Sequence, residues 1–181
     1  MKLYSILLFS QSSELVAQAH DLSSFGYFTR GPINQFIGFA TNLVASRIAP
    51  NEPNVIAQGA FLIYSLKNSN GCCCIVTDTE YPDKPGFYIC SRVLQLQASQ
   101  PSQTSQLEAM LAQYSDPTKI SKPEMVQNEL EQTKAILNKT IEGLLTRGEK
   151  LDDLVDKSAH LSIQAKEFYK QSKGNNCCFA T

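Results

Sequence analysis

Leu144-Leu145-Thr146-Arg147-Gly148-Glu149-Lys150-Leu151-Asp152-Asp153-Leu154 stands in the C-terminal third of a 181-residue chain. Leu144, Arg147, Leu151 and Leu154 follow one another in steps of three, four and three, the spacing of one stripe along an α-helix. Outward from this stretch the stripe extends through Val126, Leu130, Thr133, Leu137 and Thr140 on one side. On the other it runs through Ser158, Leu161, Ala165, Phe168 and Ser172. Ser121-Lys122-Pro123-Glu124 precedes it with an N-cap serine, an early proline and a glutamate at the third helical position, a capping box that predicts the helix start. A single heptad of this kind would ordinarily be an amphipathic helix packed on its own domain. Roughly 45 helical residues span about 70 Å, more than one small domain covers in a straight pass. Other long helices are the expected partners.

Arg147 occupies a seam position where leucine is expected, between Leu144 and Leu151. A guanidinium inside a coiled coil is costly unless polar groups surround it. Three glutamine carbonyls from neighbouring helices would supply charge-assisted hydrogen bonds and fix the register of four strands. The alternative is an arginine that snorkels to solvent. Gly143 and Gly148 flank it, each lowering helix propensity by about 1 kcal/mol relative to alanine, so the isolated segment is expected to be largely disordered and to fold on binding. Their spacing imitates a phosphate loop, but Glu149 stands where that motif requires lysine.

Upstream, residues 2–9 form an apolar run with the character of a buried strand, and residues 15–22 suggest a second. Gly31-Pro32 is expected to open a helix whose core stripe is Ile33, Phe36, Ile37, Ala40, Val44 and Ile48. Phe39 and Leu43 widen that stripe beyond what one contact with a sheet requires, leaving apolar surface for something else to dock. Residues 55–66 read as a strand, joined through the Asn70-Gly71 hairpin signal to another at 72–77. Residues 87–96 fit a helix or a further strand, 97–106 a polar connecting loop, and 107–114 a short helix. One globular domain over 1–118, the helical segment over 121–176 and a tail over 177–181 account for the chain.

Sixteen Lys and Arg balance seventeen Asp and Glu, which removes nucleic acid from the expected partners. No apolar run reaches about 18 residues, so a membrane-spanning helix is not expected, and the N-terminal run lacks a signal-peptide cleavage site. The six cysteines are therefore expected as reduced thiols. Cys178-Phe179-Ala180-Thr181 has the form of a prenylation box, preceded by the polar tether Lys173-Gly174-Asn175-Asn176. Cys177 offers a second lipid site, and two lipids anchor stably where one is marginal. Thr181 is not a usual terminal residue, which leaves farnesyl against geranylgeranyl open.

Residues 145–158, with Asp21-Leu22-Ser23-Ser24-Phe25-Gly26-Tyr27-Phe28, Val44-Ala45-Ser46-Arg47 and the terminal Cys177-Cys178, resemble the longin-type R-SNAREs of the synaptobrevin group, in its prenylated form without a transmembrane helix. The resemblance implies an α+β fold: a profilin-like longin domain, with a five-stranded antiparallel sheet and helices on both faces, followed by a long SNARE coiled-coil helix. It also implies a central-layer role for Arg147, a prenyl group on Cys178, and a palmitoyl or second prenyl group on Cys177. Phe39, with Leu43 beside it, would hold the SNARE segment and lipid in a closed cytosolic form. Implied partners are three Q-SNARE helices (Qa, Qb and Qc) and, through the lipids, the cytosolic face of Golgi, ER-derived and endosomal or vacuolar membranes. No cofactor beyond the covalent lipids is expected.

Two rival readings remain. Cys72-Cys73-Cys74 would suit a metal site or a nucleophile, but His20 and His160 are the only histidines and successive strand residues face opposite ways, so buried apolar thiols are expected, with no metal and no catalysis. Self-acylation, proposed for the family, finds no Cys–His arrangement here. The second rival is a prenylated trafficking adaptor whose helix docks on one partner without driving fusion. Such an adaptor would tolerate Arg147→Leu, and a register-setting arginine would not.

Overall fold

The computed structural model describes residues 1–97, 103–115 and 137–174. Five strands make an antiparallel sheet: β1 (Leu3–Phe9), β2 (Leu15–His20), β3 (Asn54–Gln58), β4 (Phe61–Asn68) and β5 (Gly71–Asp78). Helix α1 (Tyr27–Arg47) covers one face, while α2 (Asp83–Gln97) and α3 (Gln103–Tyr114) cover the other. This is the expected α+β architecture. A sixth strand, β6 (Leu137–Thr140), adds in parallel to the edge of β3, giving the order β2-β1-β5-β4-β3-β6.

Period-two alternation sorts the side chains. Leu7, Phe9, Ile56, Ile63, Cys72, Cys74 and Val76 face α1, whereas Leu8, Val55, Tyr64, Cys73 and Ile75 face α2 and α3. Central strands buried on both sides explain the near-continuous apolar runs of β1 and β5.

Three sequence expectations are corrected. Helix α1 begins at Tyr27, a turn before Gly31-Pro32, because the Thr29 and Arg30 N–H groups donate to the Gly26 carbonyl and the Arg30 guanidinium donates to the Phe25 and Ser23 carbonyls. Pro32 sits near the helix start, where a missing N–H is tolerated. Residues 55–66 are two strands, not one: Gly59 at φ +58 turns the chain between Gln58 and Phe61. The polar loop expected over 97–106 is already helical from Gln103, and residues 87–96 belong to a helix.

The largest departure concerns the seam. Residues 137–174 do not form one long helix; they run as β6, a 3-10 turn at Glu142–Leu144, then α4 (Leu151–Lys157) and α5 (Ile163–Gly174). Gly148 at φ +95 adopts a left-handed backbone incompatible with helix continuation, and Ser158 leaves α4 with extended angles. The broken segment buries its apolar side chains on α1 instead of lining up along an axis.

Candidate functional site

Helix α1 and the folded-back segment form one apolar cluster. Ile33, Phe36, Ile37, Ala40 and Val44 of α1 join Ile141, Leu151, Val155, Leu161, Ala165, Phe168 and Tyr169 of the segment, all buried. Phe36 carries the ring contacts, stacked on Tyr169 at 5.4 Å between centroids and edge-on to Phe168 at 6.2 Å. Phe39 and Leu43 are half-buried at the margin of the same cluster. Leu144 is half-buried against it as well, and Leu154 is half-buried.

Polar contacts frame the cluster. The Arg47 guanidinium, at the end of α1, reaches the Glu149 carboxylate at 3.0 Å, and the Ser162 N–H donates to Gln35 Oε1 at 2.9 Å. Hydrogen bonding from Thr146, followed by Arg47, pulls the Glu149 carboxyl down to about 2. Within the segment, Asp152 accepts from the Tyr169 hydroxyl at 2.8 Å and pairs with Lys173 at 2.8 Å. Lys173, and then the Tyr169 hydroxyl, lower the Asp152 carboxyl. Burial, with Asp152 second, raises the Tyr169 phenol.

These pairs carry geometric information. Asp152 and Tyr169 are 17 positions apart and Asp152 and Lys173 are 21 apart. In a continuous helix those separations would be about 25 Å and about 31 Å. The contacts exist only when the segment is bent.

Of the seam residues, Leu151, Leu161, Ala165 and Phe168 come together under α1, while Arg147 is exposed at the corner before Gly148. Leu137 contributes its backbone to β6. Val126 and Leu130, the capping box at 121–124, and the proposed lipid sites Cys177 and Cys178 lie outside the described residues. Periodicity placed Phe36 in the α1 core stripe without its ring contacts to the segment, and missed Gln35 and Arg47 on α1 and Ile141, Val155 and Tyr169 on the segment. A signal for the last three was present: each follows a seam residue (Thr140, Leu154 and Phe168) by one position.

The thiols facing the sheet's two sides are built for packing. Cys72, Cys73, Cys74 and Cys90 are all buried, Cys74 lies toward the Thr41 carbonyl and Cys90 toward the Tyr64 carbonyl. Burial raises the Cys73 and Cys74 thiols well above their ordinary value, which suppresses the nucleophilic thiolate. No helix among the described residues is long and apolar enough to cross a membrane.

An N-terminal five-stranded α+β domain joined to a seam segment defines the class as a longin-like domain with an appended segment, and comparison with known proteins gives the family. The family model for Synaptobrevin matches residues 122–178. The Synaptobrevin homolog YKT6 of Eremothecium gossypii is 40% identical, with 98% of each chain covered. The Synaptobrevin homolog YKT6 of Saccharomyces cerevisiae is 35% identical and the VAMP-like protein YKT61 of Arabidopsis thaliana 34% identical, again over 98% of each chain. The chain belongs to the synaptobrevin family of SNARE proteins, with a role in vesicle trafficking.

Proposed function

We propose that this protein is an R-SNARE whose 121–176 segment zips with three Q-SNARE helices to dock and fuse transport vesicles, and whose longin domain restrains that segment in a closed form until partners are engaged. One observation carries the reading: seam residues Leu151, Leu161, Ala165 and Phe168 are buried on α1 in a bent arrangement that a bundle helix cannot keep. The same apolar atoms cannot face α1 and partner helices at once, so closure and assembly exclude each other. Arg147, exposed in the closed form, becomes the central polar layer in the bundle, where three glutamine carbonyls satisfy its donors.

Attachment to membranes is assigned to lipids: a prenyl group on Cys178 and a palmitoyl or second prenyl group on Cys177. Together they permit cycling between the cytosol and the cytosolic face of Golgi, ER-derived and endosomal or vacuolar membranes. The protein acts by assembly, without a catalytic step. Phe39 and Leu43, at the margin of the cluster, belong to the groove that holds the segment and the lipid.

Circular dichroism of a 121–176 fragment mixed with sets of three Q-SNARE helices tests the bundle. Helicity above the sum of the parts, reduced by Arg147→Leu, is expected; no gain with any set would favour a lipid-anchored adaptor. Loss of membrane pelleting in a Cys177→Ser, Cys178→Ser double variant tests the anchors. An increase in hydrodynamic radius for Phe39→Glu tests the closed form, and an unchanged radius would refute it.

A further inference from the structure

Beside the seam runs a second row, one position further along at each heptad: Ile141, Gly148, Val155, Ser162 and Tyr169. In a bundle this row flanks the a and d layers and is only partly covered by neighbouring helices. In the bent form every member is used. Ile141 and Val155 are 0% exposed and Tyr169 is 1% exposed, as buried as the seam's own Leu151 and Ala165, whereas the seam's Leu144, Leu154 and Ser158 are half-buried and Arg147 and Thr140 are exposed. Gly148 makes the corner with its positive φ, and the Ser162 N–H donates to Gln35 of α1.

Burial is therefore not confined to the seam's phase. A segment held merely by its seam would bury a and d side chains and leave the flanking row at the margin. Here Ile141, Val155 and Tyr169 share the interior with Leu151, Leu161, Ala165 and Phe168. Tyr169 stacks on Phe36, and its hydroxyl is spent on Asp152, a partner out of reach in a straight helix. Resting on the closed-form reading above, we infer that Ile141, Val155 and Tyr169 form an added recognition stripe that the longin domain reads together with the buried seam residues, and that partner SNARE helices cover only in part. Affinity for the longin domain thereby depends on side chains that contribute little to the bundle, while Leu151, Leu161, Ala165 and Phe168 serve both.

The inference predicts separable phenotypes in the full-length chain. Val155→Ala and Tyr169→Ala are each expected to raise the ratio of extended to compact molecules roughly tenfold by small-angle scattering, as truncation of a buried contact does. With a fixed trio of Q-SNARE helices that assembles with the wild-type chain, the bundle's melting midpoint is expected to fall less than half as far as with the seam variant Leu151→Ala. Tyr169→Phe keeps the ring on Phe36 and is expected to restore most of the compactness, which separates recognition from general loss of fold. An equal fall in bundle midpoint for Val155→Ala, Tyr169→Ala and Leu151→Ala would overturn the inference. So would unchanged compactness in Val155→Ala and Tyr169→Ala under conditions where Phe39→Glu expands the chain. If Phe39→Glu leaves compactness unchanged as well, the closed form fails and the inference falls with it.

Discussion

Asp152 and Lys173 are 21 positions apart in sequence and 2.8 Å apart in space, a proximity that only a bend between them permits. The pair is a molecular record of conformation, since a straight helix would part the two by about 31 Å. Asp152→Ala is expected to weaken the bent form by about 1 kcal/mol, combining an exposed ion pair with the Tyr169 hydrogen bond. The bundle should be unaffected. A fluorescence-transfer pair placed on α4 and α5 reads the first, and thermal melting of the assembled bundle reads the second.

A substitution at Gly148 should weaken the bent form and strengthen the helix, so both effects move the balance the same way. At φ +95 a side chain strains the bent form by about 1–2 kcal/mol. In a helix, alanine gains about 1 kcal/mol over glycine. Gly148→Ala is therefore expected to shift the balance toward the bundle by about 2–3 kcal/mol, seen as faster assembly at fixed partner concentration. Slower assembly would contradict the bend as a barrier.

Acidification should loosen the contact between α1 and the segment. The Glu149 carboxyl has an ordinary value of 4.5 and is pulled down to about 2 in the bent form by Thr146 and Arg47. A depressed carboxyl stabilises the form that depresses it at all pH above the ordinary value, and that support fades as pH falls from 4.5 toward 2. Compactness of the full chain, followed by scattering across that window, should drop for the wild type and change less for Glu149→Gln.

The longin core offers a control that leaves the segment's contacts untouched. A Cβ on Gly86 would lie 2.9 Å from the Tyr64 ring, which is fully buried and fixed by hydrogen bonds from its hydroxyl to the Tyr81 carbonyl and Asp83. With no room to yield, Gly86→Ala should cost about 1–3 kcal/mol in urea unfolding.

Much of the domain could be read from the order of residues because each element satisfies one period. The strand at 2–9, the α1 stripe from Ile33 to Ile48, and the Asn70-Gly71 turn all emerge from local rules. The Gly59 turn was overlooked inside an apolar run: Gln58-Gly59 is its one mark, and Ala57, Ala60 and Phe61 on either side carry the apolar character across it. The seam was legible as a stripe but not as a bend. Leu151, Leu161 and Phe168 have one periodicity whether they meet α1 or partner helices, so the sequence pattern states that they will be covered, not by what. Phe36 was visible only as core; that its ring also serves Tyr169 depends on a crossing of elements far apart in the chain.

Strand β6 has a cost that appears only when it leaves. A chain that straightens into the bundle helix must peel residues 137–140 from β3, stripping hydrogen-bond partners from a strand whose Asn54, Val55 and Ile56 are otherwise sealed. A raw strand edge is a template for another chain's backbone. An opened molecule without partners is thus expected to self-associate, and light scattering from an opened variant should grow with its own concentration. On the proposed closed form, the edge that β6 covers would make premature opening costly.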